Sequence, residues 1–417
     1  MKRIGMIFFG TLAILMASCS KNAAPEQPSV PLENAWMYDE SLPVPIQFGM
    51  SSGVGIQTTK TTMIKEWDDL EYPLGIFALD LEGTLDNETG LYLKNETAEA
   101  VEDVERGKYL IKFDENKYYP YSSERNFSFF GYYPRLGTNP VYYRDSIRIP
   151  IPADQWGKHD ILCASSFAER QYVKKDAATG NYVPAIFGQD ATAYYDGFNA
   201  AYIRHLNRNN LYEQKMPNLS FKHKTTCFEF DAYLTGVSAD QVTSSDQIPV
   251  IQSIEIKGPA IYESAYLTIA KKDLLDADKA DWSGTLHVGG KSNASLKLGG
   301  KNAGNMNVTV GGDPKNPLKY VLPYDRFFLQ PMATEGKLTI AVTLLNPYNK
   351  KVEVFEADFP TLPVEILSFE EGKYYPFTIT INYFTGIEIS ANIEPWENGF
   401  APGTENDSIG EDAPSIL

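Results

Sequence analysis

The residues of this chain that could do chemistry do not form a catalytic or metal-binding pattern. The histidines are far apart, with no His-x-x-x-His pair and no hydrolase motif around any of them; they are His159, His205, His223 and His287. We interpret each as a surface or core histidine. The acid pairs Asp68-Asp69 and Glu370-Glu371 could supply glycosidase carboxylates, but 54 acidic residues make such pairs expected by chance. We therefore predict no catalytic residues and no enzymatic activity.

Two segments are near matches to ligand-binding loops. The segment 284–292 resembles a phosphate-binding loop, but it has one residue too many before its lysine and lies between predicted strands with no helix after it. The second segment has acids at a spacing that suggests calcium, Asp276, Asp278 and Asp281, but an alanine stands where a further ligand belongs. We interpret it as a solvated acidic connector. The sequence predicts no metal and no cofactor.

Two of the three cysteines lie in the body of the chain. Cys163 and Cys227 could form a disulfide in an oxidising compartment. Both lie in apolar segments that resemble strands, where a buried free thiol is the alternative. We favour the free thiols and leave the disulfide open.

The third cysteine, Cys19, follows a short secretory segment. Lys2 and Arg3 precede an apolar stretch, 4–17, that is too short to cross a membrane as a helix. The stretch ends with small residues directly before Cys19, as in a bacterial lipobox. The alternative is an ordinary signal peptide with an incidental cysteine. We predict that residues 1–18 are removed and that a lipid on Cys19 anchors the chain to the outer membrane.

Composition excludes several classes of partner. The chain has 37 basic and 54 acidic residues, a net charge of −17, and no basic run. Nucleic acid requires clustered Lys and Arg, and so does polybasic binding to anionic lipid, so we predict no nucleic-acid partner. Hydrophobic residues at 43% are typical of a globular protein, and aromatic residues at 13% favour strands.

Period-2 alternation along the body predicts an all-β protein. The strand count favours two tandem β-sandwich domains, 45–280 and 281–399. A helix is predicted over 196–212, within an insertion at about 167–217 of the first domain. Before the first domain, residues 19–44 are predicted to be a Pro-rich tether, and residues 400–417 an acidic flexible tail.

A succession of aromatic motifs behind the lipobox resembles one known family. The motifs are Trp67, Leu74–Leu79, Tyr118–Tyr121, Phe127–Pro134, Asp160–Ala164, Leu219–Lys224, Tyr320–Pro323, Glu371–Tyr375 and Ile393–Gly399. Their order is similar to that of the fimbrillin-like surface lipoproteins, the subunits of type V pili. The resemblance implies two transthyretin-like β-sandwich domains, a place at the cell surface or in a fimbrium, and assembly with other pilus subunits.

The first predicted strand is the candidate for exchange between subunits. Pro45 to Thr59 alternates at the start of the fold, and we interpret it as an edge strand whose place another strand could take. Its apolar residues are Ile46, Phe48, Val54 and Ile56. Shaft subunits of the family are often cleaved after an arginine near this strand. No arginine occurs here between Arg3 and Arg106, so cleavage would need Lys60 or Lys65.

The far end of the chain makes a poor donor strand. Residues 400–417 contain prolines, glycines and few large apolar groups. We therefore predict a tip or accessory pilus subunit that serves adhesion to a host, matrix or bacterial surface ligand. The alternative is a surface glycan-binding lipoprotein, because abundant Tyr and Trp could stack on sugar rings.

Overall fold

The computed structural model describes most of the body of the chain. The described residues are 32–49, 70–80, 90–103, 108–120, 125–168, 171–175, 177–178, 182–184, 189–195, 197–208, 216–235, 250–271, 284–299, 306–307, 309–310, 326–333, 338–345, 350–358, 368–382, 386–391 and 394–395.

The described residues up to 223 form two helices and twelve strands. A 3₁₀ helix spans Leu32–Met37 and α1 spans Ala200–Arg208. The strands are β1 Phe48–Gly49, β2 Leu74–Asp80, β3 Leu91–Asp103, β4 Lys108–Phe113, β5 Phe127–Tyr133, β6 Val141–Tyr142, β7 Ser146–Ile151, β8 Leu162–Ser166, β9 Gln171–Lys175, β10 Tyr182–Pro184, β11 Ala193–Tyr195 and β12 Lys222–His223.

The described residues after 223 add fifteen strands. They are β13 Thr226–Thr235, β14 Val250–Lys257, β15 Tyr262–Lys271, β16 Thr285–Ser292, β17 Ser295–Gly299, β18 Met306–Asn307, β19 Thr309–Val310, β20 Arg326–Leu329, β21 Met332–Ala333, β22 Thr339–Leu345, β23 Val352–Asp358, β24 Ser368–Phe369, β25 Lys373–Asn382, β26 Gly386–Ala391 and β27 Glu394–Pro395. The predicted all-β class is confirmed.

The largest sheet has seven strands and closes on itself. Its order is β1-β4-β3-β2-β5-β8-β12, with every neighbouring pair antiparallel. The segment 217–219, which leads into β12, forms a parallel bridge from Asn218 to Gly49 of β1. This bridge joins the two ends of the sheet. We call the closed sheet, with segment 217–219, the barrel.

The strands β2 and β5 are buried on both faces. Their sequences are mostly apolar at successive positions, which is the pattern expected of a strand with two buried faces. Ile76 and Phe129 point into the barrel, where they join a core that includes α1. Phe77 and Phe130, one residue further along each strand, point outward into a second core formed with β7, β13, β14, β15, β22 and β25. The wall of the barrel is therefore shared between two cores.

Strand pairing crosses the predicted domain boundary at residue 280. Before it lie β13, β14 and β15, and after it lie their partners β25, β22 and β16. A boundary at 280 is therefore corrected, because a polar run in the sequence does not reveal which distant strands will pair. A division into two transthyretin-like domains stays a prediction, although the pairing across residue 280 leaves no clean boundary there. One sheet, β16-β15-β7-β6, joins strands from both sides of that point.

The insertion at about 167–217 contains a helix, α1, inside the predicted span of 196–212, and residues 196 and 209–212 of that span lie outside the described residues. The side chain of Asn199 accepts a hydrogen bond from the amide of Tyr202 (2.8 Å), so Asn199 caps α1. The same insertion forms a three-stranded sheet of order β10-β9-β11.

The predicted tether, 19–44, is too long. Residues 32–37 form the 3₁₀ helix, Trp36 is 7% exposed, and Val44 is 1% exposed. The prolines of this region led to the prediction of an extended linker, but Trp36 and Val44 are buried in the core of the barrel, and Met37 and Leu42 pack against that core.

Candidate functional site

The first strand places two of its predicted residues inside the barrel. Ile46 is 4% exposed and Phe48 is 1% exposed. The ring of Phe48 packs edge-to-face against Phe129 (4.8 Å between centroids) and Phe113 (5.9 Å). Aromatic pairs at these distances add to the free energy of burial. The strand is therefore part of the core of the barrel.

On one side, β1 and the residues before it bond to the region of β4. Phe48 lies opposite Ile111 in antiparallel register. The Ile46 amide donates to the Lys117 carbonyl (2.7 Å), and the Tyr119 amide donates to the carbonyl of Val44 (2.9 Å).

On its other side, β1 bonds to segment 217–219. The Gly49 amide donates to the carbonyl of Pro217 (3.0 Å), and the Leu219 amide donates to the Gly49 carbonyl (3.2 Å). The prediction of a simple edge strand is therefore corrected, because β1 has hydrogen-bonded neighbours on both sides. Removing it would leave two rows of backbone groups unpaired.

Gly49 lies against Met216. A Cβ atom built at Gly49 would lie 3.3 Å from both Sδ and Cε of Met216, which is closer than ordinary van der Waals contact. A side chain at this position of β1 would therefore require the end of the Met216 side chain to shift.

The segment that leads into β1 is held by two arginines of α1. The Arg204 Nε donates to the carbonyl of Trp36 (3.1 Å), and its Nη2 donates to the carbonyls of Leu42 (2.6 Å) and Glu40 (3.3 Å). Arg208 donates from Nε to the Met37 carbonyl (2.8 Å). We call these contacts the arginine clamp. No motif in the sequence pointed to it, since nothing in the helix sequence marks distant carbonyls as its partners.

The other predicted residues of the site lie outside the described residues. They are the exchange-strand residues Val54 and Ile56, the processing candidates Lys60 and Lys65, and the lipidation candidate Cys19. Their predictions stand as predictions.

The four histidines lie in four different settings. His159 shares a hydrogen bond of 2.9 Å with Gln155, and burial lowers its pKa below the ordinary value. His205 is buried on α1, and His287 stacks on Tyr266.

His223 belongs to a buried polar group. Its Nδ1 lies 2.7 Å from Oδ2 of Asp160, and the Thr225 hydroxyl donates to Oδ1 of the same carboxylate (2.9 Å). In a nucleophilic relay the hydroxyl would bond to the histidine, with the carboxylate behind it. Here the carboxylate lies between them, so the group serves as a structural bridge from β8 to the chain around β12.

The remaining chemical candidates have structural roles where the structure describes them. Glu371 pairs with the buried Lys224 (3.0 Å), and Asp68-Asp69 lies outside the described residues, as do Asp276, Asp278 and Asp281. Cys163 and Cys227 are both buried, and no disulfide joins them. Among the described residues, no group of three or more His, Cys, Asp or Glu could hold a metal ion.

The segment 284–292 is a strand rather than a phosphate cradle. Residues 285–292 form β16, which pairs with β15 along most of its length. A phosphate loop needs its backbone amides free to converge on an anion, whereas this backbone is engaged in a sheet.

A buried ionic group on β13 had no sequence signal. Arg326 of β20 pairs with Glu229, and both side chains are 3% exposed. The Tyr374 hydroxyl donates to Oε1 of Glu229 (2.7 Å). Burial, together with the charge of Glu229, raises the pKa of Tyr374 above its ordinary value.

A row of stacked side chains crosses the outer face of the β16-β15-β7-β6 sheet. The guanidinium of Arg148 lies over the rings of Tyr143 (4.5 Å) and Tyr266 (5.1 Å), and His287 stacks on Tyr266 from the neighbouring strand. The faces of Tyr266 are thus covered by its neighbours. A sugar platform requires exposed ring faces, so this row does not favour the glycan-binding alternative.

Comparisons with known proteins complete the description. No protein-family model and no curated protein matches the chain. No helix in the described part of the chain is long and apolar enough to cross a membrane.

Solved structures do match. A protein assigned to cell adhesion from Bacteroides uniformis ATCC 8492 is 15% identical, with a TM-score of 0.42, and the match covers 84% of this chain and 98% of that one. A fimbrial protein from Bacteroides vulgatus ATCC 8482 is 12% identical, with a TM-score of 0.40, over 78% of this chain and 92% of that one. A protein assigned to cell adhesion from Bacteroides ovatus ATCC 8483 is 13% identical, with a TM-score of 0.42, over 85% and 98%. These similar structures are cell adhesion and fimbrial proteins of Bacteroides, at low sequence identity.

Proposed function

We propose that this chain is a non-catalytic surface lipoprotein that assembles with pilus subunits by exchange of its first strand and serves adhesion. The observation that carries the proposal is the position of β1. The described residues that lead into β1 and β1 itself contribute Ile46 and Phe48 to the core of the barrel, and they bond to the region of β4 on one side and to segment 217–219 on the other.

Loss of the first strand would leave a groove with a defined shape. The backbone groups of Lys117 and Tyr119 would line one wall, and those of Pro217 and Leu219 the other. Its floor would be apolar, with the rings of Phe113 and Phe129 exposed. An incoming strand would restore the hydrogen bonds and refill the floor, and each large side chain buried would contribute about 1.5–3 kcal/mol.

The residues near the two ends of the chain support a proposed position at the tip of a pilus or as an accessory subunit. We propose cleavage at Lys60 or Lys65, which would detach β1 from the rest of the barrel. The tail 400–417 has few apolar residues to offer as a donor strand. A subunit that accepts a strand but donates poorly suits a tip or accessory position, and a lipid on Cys19 would hold it at the outer membrane before assembly.

The experiment that tests this position uses a cleavable chain. A site for a sequence-specific protease replaces residues 58–62, and the cut protein is mixed with intact protein and sized. Short complexes are expected from a tip or accessory subunit. Long homopolymers that disappear when residues 400–417 are deleted would refute the tip assignment.

A further inference from the structure

We infer that the helical insertion acts as a latch, in which the arginine clamp on α1 retains the first strand in the barrel until another strand replaces it. This inference rests on the proposed strand exchange and names what regulates it. The clamp joins two parts of the chain that are far apart in sequence, and the segment that it holds, 36–42, leads directly into β1.

The arginine clamp consists of several hydrogen bonds from charged donors to backbone carbonyls. One guanidinium, that of Arg204, donates to three backbone carbonyls within seven residues of chain, those of Trp36, Glu40 and Leu42. A guanidinium has five donors in a fixed planar fork that spreads them over three nitrogens, whereas the three donors of a lysine share one nitrogen on a flexible stem. Hydrogen bonds from a charged donor are stronger than those between neutral groups.

The helix that carries the clamp is itself fixed. Tyr202, Ile203 and Leu206 of α1 are buried in the core of the barrel. The capping residue Asn199 also donates to the side chain of Asn126 (2.6 Å), next to β5. The two arginines therefore extend from a helix that is fixed in the barrel. Segment 36–42 can leave only if its hydrogen bonds to these arginines break.

Apart from the arginine clamp, the described contacts of segment 36–42 include few hydrogen bonds or ion pairs to the rest of the barrel. The segment's one large buried side chain is that of Trp36. The ion pair between Arg208 and Glu40 spans 3.8 Å, and the Glu40 side chain is 79% exposed, so solvent screens it. Release of the strand would therefore begin here, because segment 36–42 must separate from α1 before the strand that follows it can leave.

The latch predicts a kinetic effect of one side chain. In the cleavable protein, after the cut, the N-terminal fragment stays bound without a covalent link, and its rate of dissociation can be followed with a fluorescent label on the fragment. Arg204→Ala should release the fragment about tenfold faster or more, since three charge-assisted bonds are lost. Arg208→Ala, which removes one such bond and the exposed ion pair, should have a smaller effect. Arg144→Ala, at an exposed arginine between β6 and β7, is the matched control and should release the fragment at the wild-type rate.

Arg204→Lys separates charge from geometry. It keeps the positive charge but loses the fork, so fast release from this variant would locate the effect in the hydrogen bonds. After the fragment has left, urea unfolding of the remaining protein should be the same for Arg204→Ala and wild type. A clamp that merely stabilised the whole barrel would shift this curve as well.

The outcomes separate the latch from strand exchange. Equal release rates for wild type and Arg204→Ala would overturn the latch, even if the emptied barrel then binds an added strand. Faster release from Arg204→Ala, followed by no binding of any added strand, would support the latch and overturn the exchange. A fragment that never leaves wild type or either alanine variant would overturn both.

Discussion

The amide of Gly49 donates a hydrogen bond to the carbonyl of Pro217 across 3.0 Å, and this contact closes the barrel between the first strand and the segment before β12. A closed sheet has no free edge, and a free edge is what exposes a β-protein to uncontrolled pairing. Here the closing strand is also the first of the described strands. The barrel is therefore protected from association for as long as that strand stays in place.

A larger side chain at Gly49 should weaken this closure. Gly49→Val would place its methyl groups against Met216 and should lower the free energy of unfolding by about 1–3 kcal/mol. Met216→Ala in the same chain should recover part of that loss, because the contacting atoms are removed. Urea unfolding of the two single variants and the double variant measures the coupling. Additive losses would show that the two residues do not touch.

Replacing only one member of the buried pair Arg326 and Glu229 should strongly lower the free energy of unfolding. Arg326→Met removes the cationic partner of the buried Glu229 and leaves this side chain only the Tyr374 hydroxyl, so it should cost about 3–5 kcal/mol of unfolding free energy. The double variant Arg326→Met, Glu229→Met should be less destabilised than Arg326→Met alone. A double variant as destabilised as the sum of the two single variants would mean that the two side chains are not coupled, and it would contradict the prediction.

Stability should fall with acidity through His159. Burial lowers the pKa of this side chain in the folded state, so the unfolded chain binds a proton that the native chain resists. This contribution to stability is complete above the unfolded pKa of about 6.5 and is lost as the pH falls below it, toward the lower folded pKa. Urea midpoints measured from pH 7.5 to pH 5 should therefore decrease less for His159→Gln than for wild type. His287→Gln, in β16, serves as the control.

The anchor is a separate prediction from the fold. Cells fed a labelled fatty acid should attach it to the wild-type chain, because Cys19 ends the secretory segment as in a lipobox. In Cys19→Ser the label should be absent, and the chain should be released or remain unprocessed. Label that persists in this variant would mean that Cys19 is not the acylated residue, and it would contradict the prediction.

Much of the fold could be predicted from the sequence. The all-β class follows from period-2 alternation, and the helix was predicted around the residues that form α1. Ile46 and Phe48 were selected as buried strand residues, and both are in the core. These features depend on local periodicity, which a sequence shows directly.

The features that could not be predicted are contacts between segments that lie far apart in the sequence. The parallel pairing of β13 with β25 crosses the predicted boundary at 280, and neither strand carries a mark of its partner. The same holds for Arg204 and the carbonyl of Leu42, since a backbone acceptor has no sequence signal. The closing contact of Gly49 with Pro217 belongs to this class, which is why β1 was expected at an edge.

The central claim is that the barrel accepts a strand in place of its own, and uptake of a synthetic strand measures it most directly. The cut protein is freed of its N-terminal fragment and mixed with a labelled peptide of residues 42–56, and the mass of the complex is measured under native conditions. The account predicts a one-to-one complex with this peptide and none with the same peptide carrying Phe48→Asp, because a carboxylate would have to enter the core beside Phe129. Failure to bind the first peptide, or equal binding of both, would contradict it.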